Sequence, residues 1–108
     1  MQLLTKEVLK RFAEVGNQDG QGDQAKVIAK FFNPQGAGTW LATEFIPSEG
    51  VFFGFVSIYG DQSGCDELGY FSLAELESFR GRLGLGIERD RGFREKTLAE
   101  AKREIYFK

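Results

Sequence analysis

Apolar residues recur along the chain with two periods, about 3.6 and 2, which predict helices and strands respectively. The first helical pattern consists of Val8, Leu9, Phe12 and Val15. Because Thr5 is a good N-cap and Gly16 supplies a stop, we expect a helix over about residues 6–15. The polar, glycine-rich segment that follows, GNQDGQGDQ, predicts a loop.

Strand patterns occupy the middle of the chain. Residues 25–32 alternate, with Val27, Ala29 and Phe31 on one face and Lys26, Ile28 and Lys30 on a wetter face. Residues 38–46 and 51–60, joined by a Pro-Ser-Glu-Gly turn, predict a β-hairpin with Gly50 at a position that favours a positive φ. Tyr70 and Phe71 predict a further short strand.

Two capping-box spacings place the later helices. Ser72 and Glu75 predict a helix from about 73 to 80, and Thr97 and Glu100 predict a charged helix near the C-terminus. Between them, GRLGLGIERD predicts a short strand around residues 85–88. Helices and strands are partly segregated, which favours one α+β domain over residues 1–108. We expect a mainly antiparallel sheet of about four or five strands with two or three helices.

The strand that begins at Val51 is apolar on both faces, which is typical of a central strand covered on both sides. If Phe12 of the first helix covers Phe53 and Phe55, the opposite face, with Phe52, Val56 and Ile58, needs a second layer. We expect that layer to be the helix at 73–80, through Leu76 and Phe79. A homodimer or the surface of another partner is the alternative.

Composition predicts a phenylalanine-rich core, since the 108 residues include eleven Phe and are 42% apolar. The N-terminus lacks the apolar run of a signal peptide, and no segment approaches the roughly 20 apolar residues that cross a bilayer. We therefore expect a cytoplasmic protein with no membrane partner.

The inventory of reactive side chains argues against catalysis. Cys65 is the single cysteine and the chain has no histidine, which excludes an internal disulfide, a Cys/His zinc cluster and a Cys-His dyad. Histidine is the usual general base near neutral pH. We therefore expect no enzyme, no metal and no other cofactor.

Charge is distributed unevenly around a formal net charge of −2. Residues 1–79 carry −6, whereas residues 80–108 carry +4 and six of the seven arginines. A net negative domain works against binding to a phosphate backbone, so we expect no nucleic-acid partner.

Five acidic residues are the candidate surface for a protein partner: Asp61, Asp66, Glu67, Glu88 and Asp90. The simpler interpretations are solvated charge for the first three and local ion pairing for the alternating Glu-Arg-Asp-Arg segment at 88–91. The loop at 61–67 does not have the spacing of a calcium loop, because the glutamate at the twelfth position is missing.

The alternative is a small-ligand or nucleotide site formed by Trp40, Tyr59, Tyr70, Arg89 and Arg91. Aromatic rings can stack on a base and a guanidinium can hold phosphate. For Trp40, core packing is the simpler interpretation and a surface anchor the second. The NPQGAG segment lacks a Lys-Ser/Thr pair and precedes a strand, so it predicts a backbone turn rather than a phosphate loop.

Five blocks of the sequence, in order, resemble the bacterial domain-of-unknown-function family 2958. They are LLTKEVLKRFAEVGNQD, VIAKFFNPQGAGTWLATEF, GVFFGFVSIYGD, DELGYFSLAELESFRG and LGLGIERD. The resemblance covers about residues 1–90, and residues 91–108 form a divergent C-terminal helix.

Proteins of that family are commonly carried by plasmids, integrative elements and phages, often near genes for antagonists of host defence. The resemblance implies no activity and no catalytic residue. It implies a non-enzymatic accessory protein that antagonises a host defence, such as a CRISPR or restriction system, by binding a protein component. The alternative function, from the residues, is a module that sequesters a signalling nucleotide.

Overall fold

The computed structural model describes residues 2–58 and 66–107. The helices are α1 (Lys6–Val15), α2 (Leu73–Ser78) and α3 (Leu98–Tyr106), with a short 3-10 helix at Gly22–Gln24. The strands are β1 (Lys26–Val27), β2 (Ala29–Phe32), β3 (Thr39–Ile46), β4 (Val51–Ser57), β5 (Glu67–Ser72), β6 (Glu88–Arg89) and β7 (Lys96–Thr97). None of the described helices is both long enough and apolar enough to span a bilayer.

The expected α+β class is confirmed. Five strands form one sheet in the order β5-β4-β3-β2-β6, and every neighbouring pair in it is antiparallel. Strands β1 and β7 form a separate two-stranded antiparallel sheet. The short strand expected at 85–88 lies slightly later, at Glu88–Arg89, and β7 had no counterpart in the sequence pattern.

The central hairpin, β3 and β4, has the expected turn, but β4 ends at Ser57 rather than at residue 60, and residues 59 and 60 lie outside the described residues. Gly50 closes the turn with a φ of 66°. Residues that have a Cβ rarely adopt this backbone conformation. The register shifts between Ala42 and Glu44, where β3 carries a bulge. A Cβ on Gly54 would lie 1.9 Å from the carbonyl oxygen of Leu41, so only glycine fits opposite the bulged strand.

The alternating segment at 25–32 is not one strand, which corrects the expectation. It breaks at Ile28, whose backbone N–H donates to the carbonyl of Ala42 at 2.9 Å. Val27 packs with one buried cluster, whereas Ile28 and Phe31 pack with another. The break therefore separates Val27 from Ala29 and Phe31, which one continuous strand would place on the same face. Ile28 lies in the core rather than on a wetter face.

The helix caps match the sequence signals closely. The hydroxyl of Thr5 accepts from the Val8 N–H at 3.2 Å, and that of Ser72 from the Glu75 N–H at 3.2 Å. At α3 the capping box is complete, since the Glu100 carboxylate also accepts from the Thr97 N–H at 3.0 Å. The hydrogen bonds from Thr97 lower the pKa of Glu100 below its usual value.

Helices α1 and α2 cover one face of the main sheet, here called the first face. Phe52 lies at its centre, with its ring centroid 4.8 Å from Phe45, 5.2 Å from Phe31, 5.4 Å from Phe71 and 5.8 Å from Phe12. Leu76 of α2 belongs to the same cluster, as expected. The expected contact of Phe12 with Phe53 and Phe55 is wrong, because α1 packs on the first face, which carries Phe52.

The opposite face, here called the second face, is covered by α3. Leu98 and Ala101 pack there with Val27, Leu41 and Phe55. At Phe55 a lysine contributes to the cover, since the ammonium group of Lys102 lies over the Phe55 ring, 4.6 Å from its centroid. The aliphatic stem of a lysine can shield apolar surface while its charge stays in water.

A buried glutamine ties the loop after α1 to the sheet. The side-chain amide of Gln18 donates to the carbonyls of Lys26 and Thr43, each at 2.8 Å. Its carbonyl oxygen accepts from the Lys26 N–H at 2.6 Å. These bonds join residues 8 and 25 positions apart, so the side chain substitutes for backbone pairing where β3 bulges.

Candidate functional site

An open groove of about 350 Å³ lies on the first face, between α2 and the turn that joins β2 to β3. Apolar side chains form most of its lining: Trp40, Ile58, Phe71, Leu76, Phe79 and Ile87. Asn33, Ser72 and Glu75 contribute polar groups. We call this feature the Trp40 groove. It combines a large apolar surface with a few polar groups, as binding sites commonly do.

The β2–β3 turn forms one side of the groove and is shaped around the indole ring. The Asn33 N–H donates to the carbonyl of Gly38 at 3.0 Å and closes the turn. Gly38 has φ of 135°, and a Cβ there would lie 3.3 Å from the Trp40 ring. Gly38 of NPQGAG thus serves backbone geometry, and the turn also leaves space beside the tryptophan.

The segment that connects α2 to β6 leaves apolar side chains exposed near the groove. It begins at Phe79 and ends at Ile87, both of which line the groove. Gln35 of the β2–β3 turn holds this segment, because its side chain accepts from the Leu83 N–H and donates to the carbonyl of Leu85 at 3.0 Å. The Leu83 side chain is 76% exposed.

The four described members of the proposed acidic set do not form one surface. Asp66 is half-buried at the start of β5, where it accepts hydrogen bonds from the Ser57 hydroxyl at 3.1 Å, the Ile58 N–H at 3.2 Å and the hydroxyl of Tyr106. The carboxylate therefore joins α3 to β4. Glu67 is exposed beside it, and Asp61 lies outside the described residues.

Glu88 and Asp90 lie at the other edge of the sheet, four strands away from Glu67 in the strand order. Asp90 accepts from the Gly92 N–H at 3.0 Å, and its second oxygen is 3.9 Å from the ammonium group of Lys30. The local ion pairing considered for this segment is thus present for Asp90, with Lys30 rather than an arginine.

Two aromatic residues of the alternative site, Trp40 and Tyr70, are also separated. Trp40 is opposite Val56 on β4, and Tyr70 is opposite Phe53, three residues away on the same regular strand. Side chains alternate between faces along a strand, so Trp40 and Tyr70 lie on opposite faces of the sheet. Both rings therefore cannot stack on one base.

Arg89 and Arg91 do not form a common site with Tyr70. Arg89 is half-buried in β6, opposite Phe31, and Arg91 is exposed in the following turn. Tyr59 lies outside the described residues. Within residues 2–58 and 66–107, no group of three or more acidic, cysteine or histidine side chains could hold a metal ion.

Sequence patterns gave no direct signal for two groove residues. Ala37 is part of the NPQGAG turn and carries no binding motif of its own. The sequence pattern around Glu75 indicates only the cap of α2. The available signal was Trp40, for which a surface anchor was one of two interpretations. What joined these residues was the packing of α2 against the first face, which is a tertiary contact.

The comparisons with known proteins give one family. Residues 3–102 match the model of a family described as "Protein of unknown function (DUF2958)". No curated protein and no solved structure matches the chain. The match includes residues 91–102, which lie beyond the blocks that carried the resemblance in the sequence. Since the matched segment spans nearly the whole chain, this protein belongs to the DUF2958 family.

Proposed function

We propose that this chain is a cytoplasmic protein-binding module without catalytic activity, and that the Trp40 groove receives an apolar side chain of its partner. The observation that carries the proposal is the open groove beside the single tryptophan of the chain, with exposed apolar residues around it. Exposed apolar surface that is contiguous and bordered by polar groups is typical of interaction sites.

The chemistry of the groove specifies what the partner presents. Tryptophan is enriched among the residues that dominate binding energy at interfaces. Burial of one large apolar side chain of the partner contributes about 1.5–3 kcal/mol, which is a substantial part of a micromolar affinity. Glu75 lines the groove as well, so a basic residue next to the apolar anchor fits its charge.

For the identity of the partner we propose a component of a host defence system, of the CRISPR or restriction type. The support is the family resemblance, with its association with plasmids, integrative elements and phages. A small inhibitor of this kind blocks its target by covering a surface, which requires a complementary patch rather than a reactive group. The Trp40 groove has that character.

The first experiment tests the groove. Tagged protein recovers partners from a host lysate, and Ala37→Tyr, which fills the groove, is compared with Ala74→Tyr, an exposed position on α2 outside the lining. We expect the partner to be lost with Ala37→Tyr and retained with Ala74→Tyr. Equal recovery with both variants would remove the groove from the proposal.

Charge reversal refines that comparison. Glu75→Lys changes a groove carboxylate, and Glu77→Lys makes the same change two residues further along α2, outside the lining. We expect only Glu75→Lys to weaken recovery of the partner, by about tenfold if one charge pair is lost. A similar loss from both variants would indicate a general effect of net charge.

The second experiment tests defence antagonism directly. Cells that carry an active CRISPR or restriction system are challenged with a targeted phage, with and without expression of this protein. We expect plaques to return with the wild type and with Ala74→Tyr, and not with Ala37→Tyr. Protection that stays intact against a panel of such systems would contradict the proposed target class.

A small ligand in the same groove is the second candidate, because about 350 Å³ falls within the range of small-molecule sites. Trp40 is then the stacking residue, without Tyr70. A nucleotide panel, followed by the emission of the single tryptophan and by thermal shift, distinguishes this candidate. A nucleotide that changes both signals in the wild type but not in Ala37→Tyr would favour it over a protein partner.

A further inference from the structure

We propose that β5 pairs with β5 of a second copy of this chain, so that two five-stranded sheets join across a two-fold axis at Gly69. This inference is independent of the Trp40 groove. It rests on the free edge of β5, on the side chains that the edge carries, and on the register that a two-fold axis imposes.

The first observation is the edge itself. Strand β5 is the end of the main sheet and pairs along its six residues with β4 only. Among the described residues no strand lies on its outer side. In an antiparallel strand, every second residue directs its backbone N–H and C=O away from its neighbour, so this edge presents a row of donors and acceptors to another strand.

The second observation is that β5 lacks the features that protect edge strands from pairing. Its sequence, ELGYFS, contains no lysine and no proline, and its register with β4 continues without a bulge. The edge at the other end of the sheet differs, because β6 has only two residues. One edge is thus too short to template a strand, and the other is long and regular.

The third observation is the exposed pair of apolar side chains on the second face. Leu68 is 47% exposed and Tyr70 is 69% exposed, although both belong to a regular strand. The Tyr70 ring packs edge-to-face on Phe53 with centroids 5.0 Å apart. Phe55 and Phe53 of β4 lie opposite Leu68 and Tyr70, and no described strand supplies apolar neighbours on the outer side.

A two-fold axis perpendicular to the sheet at Gly69 supplies apolar neighbours for this exposed pair. It places Leu68 of one copy opposite Tyr70 of the other, twice, on the same face. Glu67, the one charged residue of β5, then lies opposite Phe71 rather than opposite its own copy, so like charges do not meet. Gly69 faces Gly69, where a Cβ would have no atom of its own chain within 4 Å. The second copy is therefore a self-complementary occupant for this edge.

Cysteine cross-linking tests the register. In a Cys65→Ser background, Gly69→Cys places two sulfur atoms on the axis, since opposed residues in antiparallel strands have Cα atoms about 4.5–5.5 Å apart, within the range for a disulfide. We expect a covalent dimer on a non-reducing gel after mild oxidation. Gly36→Cys, also at a site with open space for a Cβ, is the control and stays monomeric.

Light scattering at concentrations up to a few hundred micromolar tests the interface without cross-linking. We expect a mass twice the 12.1 kDa of the monomer for the wild type and for Leu83→Lys, and the monomer mass for Tyr70→Lys with an unchanged circular dichroism spectrum. A monomeric wild type overturns the proposal. So does a dimer that survives Tyr70→Lys, or one in which Gly69→Cys fails to cross-link. A heterologous protein that binds the wild type and not Tyr70→Lys, without any dimer, would assign the edge to another partner.

Discussion

The two faces of the main sheet are both apolar, yet they are covered to different extents. On the first face, α1 and α2 enclose a cluster in which Phe52 contacts four other phenylalanine rings. On the second face, the cover from α3 ends near Phe55, and the pair formed by Phe53 and Tyr70 lies beyond it. Within residues 2–58 and 66–107, a strand that is apolar on both sides is therefore covered by one complete layer and one partial layer.

The largest expected effect comes from the centre of the first face. Phe52→Ala removes a fully buried ring and leaves a cavity among four others, so we expect the free energy of unfolding to fall by about 3–5 kcal/mol. Urea denaturation measures it. Phe53→Ala, on the adjacent residue of the second face, is the matched control and should cost clearly less. Equal losses would mean that the two faces contribute alike.

A smaller effect is expected from the layer that α3 forms. Leu98 is fully buried in the smaller cluster, and Leu98→Ala should lower the free energy of unfolding by about 2–3 kcal/mol, in the lower part of the range for such truncations. Hydrogen exchange should show faster opening of α3 than of α1. Leu68→Ala, an exposed leucine on the same face, is the control. If α1 exchanged faster than α3 in Leu98→Ala, the stabilities of the two faces would not be separable.

The next effect concerns the attachment of α3 by its cap. Thr97→Ala removes the hydroxyl of a complete capping box, and we expect a loss of about 1 kcal/mol in the free energy of unfolding. Thr5→Ala serves for comparison, because the Thr5 hydroxyl accepts one hydrogen bond at the start of α1 and is not part of a reciprocal pair like that of Thr97 and Glu100. A larger loss from Thr5→Ala than from Thr97→Ala would contradict the importance given to the reciprocal bond.

The smallest effect is a dependence on acidity at the same cap. The pKa of Glu100 is lower in the folded chain than in the unfolded chain, so its ionised form stabilises the fold above the unfolded pKa, and this contribution is lost as the pH falls through the folded value. Glu100→Gln retains an acceptor oxygen and removes the charge. We expect thermal stability of the variant to decline less than that of the wild type below about pH 4.5, the usual pKa. Parallel pH profiles would show that this carboxylate does not contribute.

Much of the fold could be predicted from the sequence because its signals are local. Caps at Thr5, Ser72 and Thr97 begin the three helices, and the Pro-Ser-Glu-Gly turn locates the hairpin. The face on which α1 packs could not be derived in this way. Periodicity shows that Phe12 is buried, but only the tertiary packing of α1 decides between Phe52 and Phe53.

The same limit applies to short strands and to the candidate site. Strands β1 and β7 have two residues each, and their pairing follows the position of α3, whose Leu98 N–H donates to the carbonyl of Ala25 at 2.8 Å. Asp66 was interpreted as surface charge because its partner Tyr106 lies 40 residues later. The Trp40 groove likewise brings together α2 and a turn that precedes it by more than thirty residues.

The clamp formed by Gln18 has a consequence for how the family varies. Its amide uses two N–H donors and one carbonyl acceptor in a buried position, and no other natural side chain offers that set at the same length. Glutamate would place an acceptor where a donor is needed, and leucine would leave three backbone groups unbonded. Lys26, in contrast, contributes only backbone atoms to the clamp. Aligned members of the family should therefore retain glutamine at position 18 while position 26 changes freely.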